Sequence, residues 1–158
     1  MPATGLAEKI SSTMENVNSF KWKPFRVVVV LQLVLLSLQG WTGDFVNVFV
    51  TTSPTNVGKS LQGFFAAITS RGPFLEWHAF EGSVALLLGV VVAAYSFAFK
   101  RRSVRFASIL AVLSVFASGL GGFLFVLSGF SAGGSSMQMG GSYIAAYALY
   151  FVTLWYTK

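Results

Sequence analysis

The sequence predicts an all-α, polytopic membrane protein: a four-transmembrane-helix bundle built as two hairpins related by a parallel repeat. Three observations predict it. Of the 158 residues, 54% are hydrophobic and only 10% are charged, whereas a soluble domain carries about a quarter charged residues. The apolar residues gather into four stretches, each close to the roughly 20 residues a helix needs to cross the hydrocarbon core. The basic residues gather at the ends of those stretches, on one side.

The four spans run over about 27–46, 77–99, 104–127 and 139–156. The first begins VVVVLQLVLLSL, and the second carries ALLLGVVVAAYSFAF. Gly and Ser recur within them, which lets helices approach closely in lipid; Ser118, Gly119, Gly121 and Gly122 are the contact points of span three. Segments so long and continuously apolar are not barrel strands, and helices are the other structure that satisfies its backbone in lipid. Residues 25–158 therefore form the transmembrane domain.

Orientation follows from the cations. Lys9, Lys21, Lys23 and Arg26 precede span one, Lys100, Arg101, Arg102 and Arg105 join spans two and three, and Lys158 ends the chain. Lys59 and Arg71 alone fall on the other side. Both termini are thus expected in the cytoplasm, in a multi-pass protein of the plasma membrane. The net charge of +6 is explained by these flanks, which meet lipid phosphates, so no nucleic-acid partner is expected. The absence of cysteine excludes a disulfide framework and a thiolate metal site.

Span one exceeds the short apolar core of a cleavable signal peptide, and no small-residue cleavage site follows it. Ahead of it, residues 1–24 form a cytoplasmic segment in which Leu6, Ile10, Met14, Val17 and Phe20 recur at helical steps. That spacing is expected of an amphipathic helix on the membrane surface, ended by Pro24; a disordered tail is the alternative. In the loop between spans one and two, Thr51, Thr52, Ser53 and Pro54 break the chain. Leu61, Phe64, Phe65 and Ile68 then share one face of a short interfacial helix, and Gly72 and Pro73 turn the chain into span two. The loop from Ser128 to Ser136 is mostly Gly and Ser and is expected to be flexible.

Ionisable groups within or near a span are costly and mark candidate sites. Here they are Asp44, Glu76, His78 and Glu81, all toward the outer side, with Gln32 and Gln39 adding polar groups to span one. His78 is the single histidine, and Glu81 and Gly82 share its helix face. One reading places His78 at headgroup level, hydrogen-bonded to Glu81 or Asp44. The other makes it a metal ligand. Met137 and Met139 open span four on the same side, and haem iron accepts a His/Met axial pair. Glycines at 82, 89, 140 and 141 would leave room for a macrocycle, and Glu81 or Asp44 could hold the second imidazole nitrogen. Packing or lipid contact is the plainer role for the methionines.

The chain also reads as two similar hairpins. Each opens with a span ending in a glycine cluster, Gln39-Gly40-Trp41-Thr42-Gly43 and then Gly119-Leu120-Gly121-Gly122, and each returns by a span with a candidate ligand at its outer end. From about Val27 onward this resembles one four-helix half of haem A synthase and similar four-helix b-type cytochrome modules. The resemblance implies haem b held by a histidine at the start of each even helix. His78, Ala79 and Gly82 match the second helix. In the fourth, SYIAAYALYFVTLWY matches in shape, but Met137 or Met139 stands where that family has its histidine, so a bis-His site is out of reach.

Two functional classes lead. The chain is expected to be a small subunit of a larger membrane complex, either an electron-transfer subunit carrying haem b or a cofactor-free accessory or assembly subunit. Its partners would then be lipid and other membrane-protein subunits. A small proton-linked transporter built on Asp44, His78 and Glu81 is a third reading, weakened because the central and inner depths of the spans lack ionisable groups. No recognisable catalytic set is present for an enzyme acting alone.

Overall fold

A computed structural model describes residues 3–49 and 60–157, with side chains placed from Trp22 onward. Five helices follow in order: α1 (Ala3–Phe49), α2 (Leu61–Thr69), α3 (Pro73–Ser96), α4 (Arg102–Leu127) and α5 (Gly133–Trp155). Every element is helical among the described residues. Three segments are long and apolar enough to cross a membrane: Trp22–Phe49 of α1, α3 and α4.

The long helices pack in a ring, α1 against α3, α3 against α4, α4 against α5 and α5 back against α1. Each gives one stripe to the centre. On α1 the stripe is Phe25, Val29, Leu33 and Leu36, on α3 Ala85 and Val92, on α4 Val104, Ala111 and Val115, and on α5 Ala146 and Tyr150. Steps of three and four residues keep each stripe on a single helix face. The opposite faces are just as apolar: Leu31, Leu38, Leu87, Leu113 and Ile144 are exposed. Water would charge heavily for that surface, and lipid does not. The protein is therefore a membrane protein whose outer helix faces contact the bilayer.

Several expected boundaries change. The expected break at residue 24 is absent: α1 runs unbroken through Pro24. A proline removes one backbone donor from a helix interior, and here tertiary packing spans the gap. Trp22 stacks on Phe99 with ring centroids 3.7 Å apart, while Phe25 lies 4.9 Å from the same ring and 5.5 Å from Tyr95. The amphipathic face of residues 6–20 and the loop residues Thr51 to Lys59 lie outside the described side chains.

Span two begins earlier than expected and also ends earlier. Gly72 adopts φ 94 with Pro73 at the first helical position, a conformation that favours glycine followed by a proline pre-set for a helix start. Its last turn stops at Ser96, after which Phe97, Ala98 and Phe99 form tight i→i+3 bonds. Span three begins slightly earlier than expected, at Arg102. The largest change is α5, which starts at Gly133, inside the stretch expected to be a flexible loop. Its start is held by α4: a methyl group on Gly121 would lie 2.9 Å from Ser135 O and 2.8 Å from Met139 N. Small residues allow that backbone approach, and packing rather than propensity makes the first turns helical.

The short helix expected after the loop is present as α2, capped by Ser60, whose hydroxyl accepts from Gly63 N–H at 3.0 Å. Its inward face differs in detail. Ala67 and Ile68 are buried with Val46, Leu75, Val126 and Phe130, and Phe64 packs beside them. Leu61 and Phe65 point outward.

Candidate functional site

One polar cluster joins α1 to α3 near the α2 end of the bundle, and it contains His78. α1 contributes Gln39 and Thr42, one turn apart, and α3 contributes Trp77, His78 and Glu81. Glu81 is 5% exposed yet satisfied on both oxygens. Thr42 Oγ1 donates to Oε2 at 2.6 Å and Trp77 Nε1 donates to Oε1 at 2.7 Å. Burying the carboxyl depends on these two bonds.

The hydroxyl proton of Thr42 then fixes the histidine. It has one hydrogen, and the 2.6 Å contact to Glu81 claims it over the 3.2 Å contact to Gln39 O. With that proton directed at Glu81, His78 Nδ1, 3.1 Å from the same oxygen, is the donor. This assigns the Nδ1–H tautomer and leaves the lone pair on Nε2. The amide of Gln39 does not compete for it in the ring plane. Its Nε2 stands 3.2 Å from both ring nitrogens, and an atom equidistant from both lies over the ring face, because in the plane it would collide with Cε1. The directed bond of that amide goes to His78 O at 3.1 Å.

Gln39 belongs to a repeated device. Its amide packs over Gly82, where a methyl group would lie 3.2 Å from Nε2. One heptad earlier on α1, Gln32 Nε2 donates to Ala85 O at 3.0 Å, beside Gly89, where a methyl group would lie 3.7 Å from the amide. In each case the accepting carbonyl lies four residues before the glycine, and the missing side chain is what lets an amide from α1 reach it. The spacing of seven on both helices keeps the two units on one seam.

The site differs from the sequence expectation in its partners. Glu81 reaches His78 through Thr42 rather than directly. Asp44 is exposed and makes no hydrogen bond to His78 among the described residues. Met139 packs against α4: a methyl group on Gly122 would meet its sulfur at 3.2 Å, and Ser118 Oγ donates to its carbonyl at 2.9 Å. Met137 is 80% exposed. The positions Gly82 and Gly89 are filled by Gln39, Gln32 and Tyr150, whereas Gly140 and Gly141 face open space. Among the described residues no group of three His, Asp or Glu side chains is placed to hold a metal ion.

Sequence reasoning passed over Thr42, Trp77 and the tyrosines of α5. Trp77 and Glu81 are one turn apart on α3, which is a readable signal. The tyrosines are legible as polar tips on an apolar helix. Tyr143 Oη donates to Leu36 O at 2.8 Å, and Tyr147 Oη lies 3.0 Å from Ser37 Oγ, so α5 is tied to α1 around Leu36 and Ser37. No known protein family, curated protein or solved structure matches the chain.

Proposed function

We propose that this chain is a four-span, cofactor-free accessory subunit of a larger membrane complex, with both termini in the cytoplasm. The observation that carries the cofactor-free reading is that Glu81 is bonded by Thr42 and Trp77 in joining α1 to α3, Gln39 lies over the His78 ring, and Met139 packs on α4. The fourth span is α5. Its support is depth: α5 meets α4 at Gly121 near one end, and at the other Arg101 Nη1 donates to Tyr156 O at 2.7 Å. A helix that accompanies α4 from end to end crosses whatever α4 crosses. On that count the chain is two hairpins, α1 with α3 and α4 with α5, whose first helices run the same way.

Partner subunits are supported by the aromatic load of the outer faces. Sixteen Phe, four Trp and five Tyr occur in the chain, and Trp41, Phe49, Trp77, Phe80 and Trp155 are all exposed. Aromatic residues are enriched at protein contacts and at membrane interfaces alike. Crosslinking in native membranes followed by gentle extraction tests the reading. A protein that is monomeric throughout, with no crosslinked neighbour, rejects it.

A second reading, an electron-transfer subunit carrying haem b, is favoured by the tautomer of His78. An Nδ1–H imidazole held through Thr42 by a carboxylate presents Nε2 as a ligand atom, the arrangement that second-shell carboxylates impose in metal sites. Met139 or Met137 would be its partner, and this requires Gln39 to leave the ring and Met139 to leave Gly122. A reduced-minus-oxidised absorption spectrum of protein made with ample haem separates the two. A Soret band lost in His78→Ala establishes the haem reading, and a featureless spectrum the accessory one.

A further inference from the structure

Deeper in the bundle, a second set of polar atoms is buried where no lipid or bulk water reaches. Gln32 and Tyr150 are both 0% exposed. Among the described residues, Gln32 Oε1 and Tyr150 Oη have no hydrogen-bond partner. Both adjoin Gly89: a methyl group there would lie 2.7 Å from Tyr150 Oη and 3.7 Å from Gln32 Nε2. A third orphan, Ser108 Oγ, is also 0% exposed. It lies one turn from Val112 on the same face of α4, and Val112 closes the site around Gly89 at 3.2 Å.

Each such orphan is costly when its hydrogen bond is left unmade. Gln32 of α1 and Tyr150 of α5 adjoin one glycine of α3, and Ser108 stands one turn along α4 from the valine that also adjoins it. Tyr150 offers a hydroxyl that can donate and Gln32 a carbonyl that can accept, and the two are not bonded to each other. Buried waters occupy sites of this kind, bonded to two to four polar groups. Gln32 cannot solve the problem by rotating its amide, because that would break its bond to Ala85 O.

We infer that the centre of the bundle holds one water molecule, accepting from Tyr150 Oη and donating to Gln32 Oε1, with Ser108 Oγ as a further partner. The water completes the α1–α3 seam by linking it to α5. It stands independently of whether His78 binds haem.

The test uses the full chain in detergent micelles. Tyr150→Phe keeps the ring and deletes the hydroxyl, so it folds in the same space. With the water present, the variant strands a bonded network, and its thermal midpoint falls. With a dry site, the variant removes a buried orphan, and the midpoint rises or stays level, which overturns the inference. Gln32→Met, of similar volume, is measured alone and combined with Tyr150→Phe. A double variant that falls by less than the sum of the singles shows that both residues act through one partner; additive losses overturn the proposal. A crystal structure that resolves ordered waters decides the identity of that partner. Density within hydrogen-bond distance of both Tyr150 Oη and Gln32 Oε1 establishes the water. Tyr150 Oη resting on Gly89 alone, or bonded directly to Gln32, overturns it.

Discussion

Replacing Gly121 by alanine probes the contact on which α5 depends. The added methyl group would lie 2.8 Å from Met139 N, 2.9 Å from Ser135 O and 3.1 Å from Met139 Cα. All three are backbone atoms of α5, so no side chain can rotate away. Carbon and nitrogen atoms settle nearer 3.5–4.0 Å, so α4 and α5 must separate by several tenths of an ångström or more. That separation stretches the 2.9 Å bond from Ser118 Oγ to Met139 O. Overpacking of this kind costs about 1–3 kcal/mol. An alanine also gains about 0.5–1 kcal/mol over glycine in a helix interior, so the net loss should be about 0–2.5 kcal/mol by that difference, and about 1–3 kcal/mol relative to an alanine that meets nothing. Equilibrium unfolding in mixed micelles measures it. Gly119→Ala is the control, since nothing lies within 4 Å of its added carbon and it should be neutral or stabilising. If Gly121→Ala is as stable as Gly119→Ala, the close approach of α4 and α5 is refuted, and with it the placement of α5 alongside α4.

Thr42→Val should cost about 1–3 kcal/mol, because it leaves the buried Glu81 Oε2 and His78 Nδ1 without their shared partner; Thr42→Ser should restore most of it, and equal losses for the two would refute the hydrogen-bond account. Trp77→Phe removes one donor from the same carboxylate and should be destabilising, with Trp77→Phe/Glu81→Gln losing less than the sum of the two singles; strict additivity refutes the link. Phe99→Ala should cost about 3–5 kcal/mol, as Trp22, Phe25 and Tyr95 all lose their common ring; a change under 1 kcal/mol would show that the stack does not hold α1. A reporter fused after Lys158 should be active in a cytoplasmic assay and silent in an extracytoplasmic one, and the reverse would refute the proposed topology and the side assigned to His78.

Much of the architecture is legible in the sequence because a helix in lipid needs length and apolarity above all. Three spans can be read that way, and α2 follows from Ser60, the spacing of Phe64 and Ile68, and the Gly72–Pro73 turn. The misread parts share one cause. Gly133, Gly134 and Ser135 look like a loop when propensity is the guide, yet they are helical because α4 offers Gly121 as a seat. Pro24 looks like a terminator, yet rings from α3 and the turn after it grip α1 on both sides of the proline. Local composition carries no record of what a distant segment will supply. The same holds for the candidate site. His78 and Glu81 can be found by rarity, and Gln39 by its polarity. Thr42 as the bridge, and the assignment of the imidazole proton, depend on the rotation of α1 about its axis relative to α3. Hydropathy does not encode that rotation. The seven-residue spacing of Gln32 with Gln39, matched by Gly82 with Gly89, does encode it.

The continuity of α1 has a mechanical consequence. At about 1.5 Å per residue, its 47 residues make a rod of about 70 Å, more than twice the roughly 30 Å of a hydrocarbon core. A force applied near Ala3 therefore acts at the end of a lever. The softest joint is Pro24, where one rung of the backbone ladder is missing, and that joint is clamped by the Trp22–Phe99 stack. While the clamp holds, axial twist of the distal arm passes into the bilayer and bears on Gln32 and Gln39, whose amides are seated in the grooves of α3. The stack thus braces the arm against the membrane-embedded half of the helix where the backbone ladder lacks a rung.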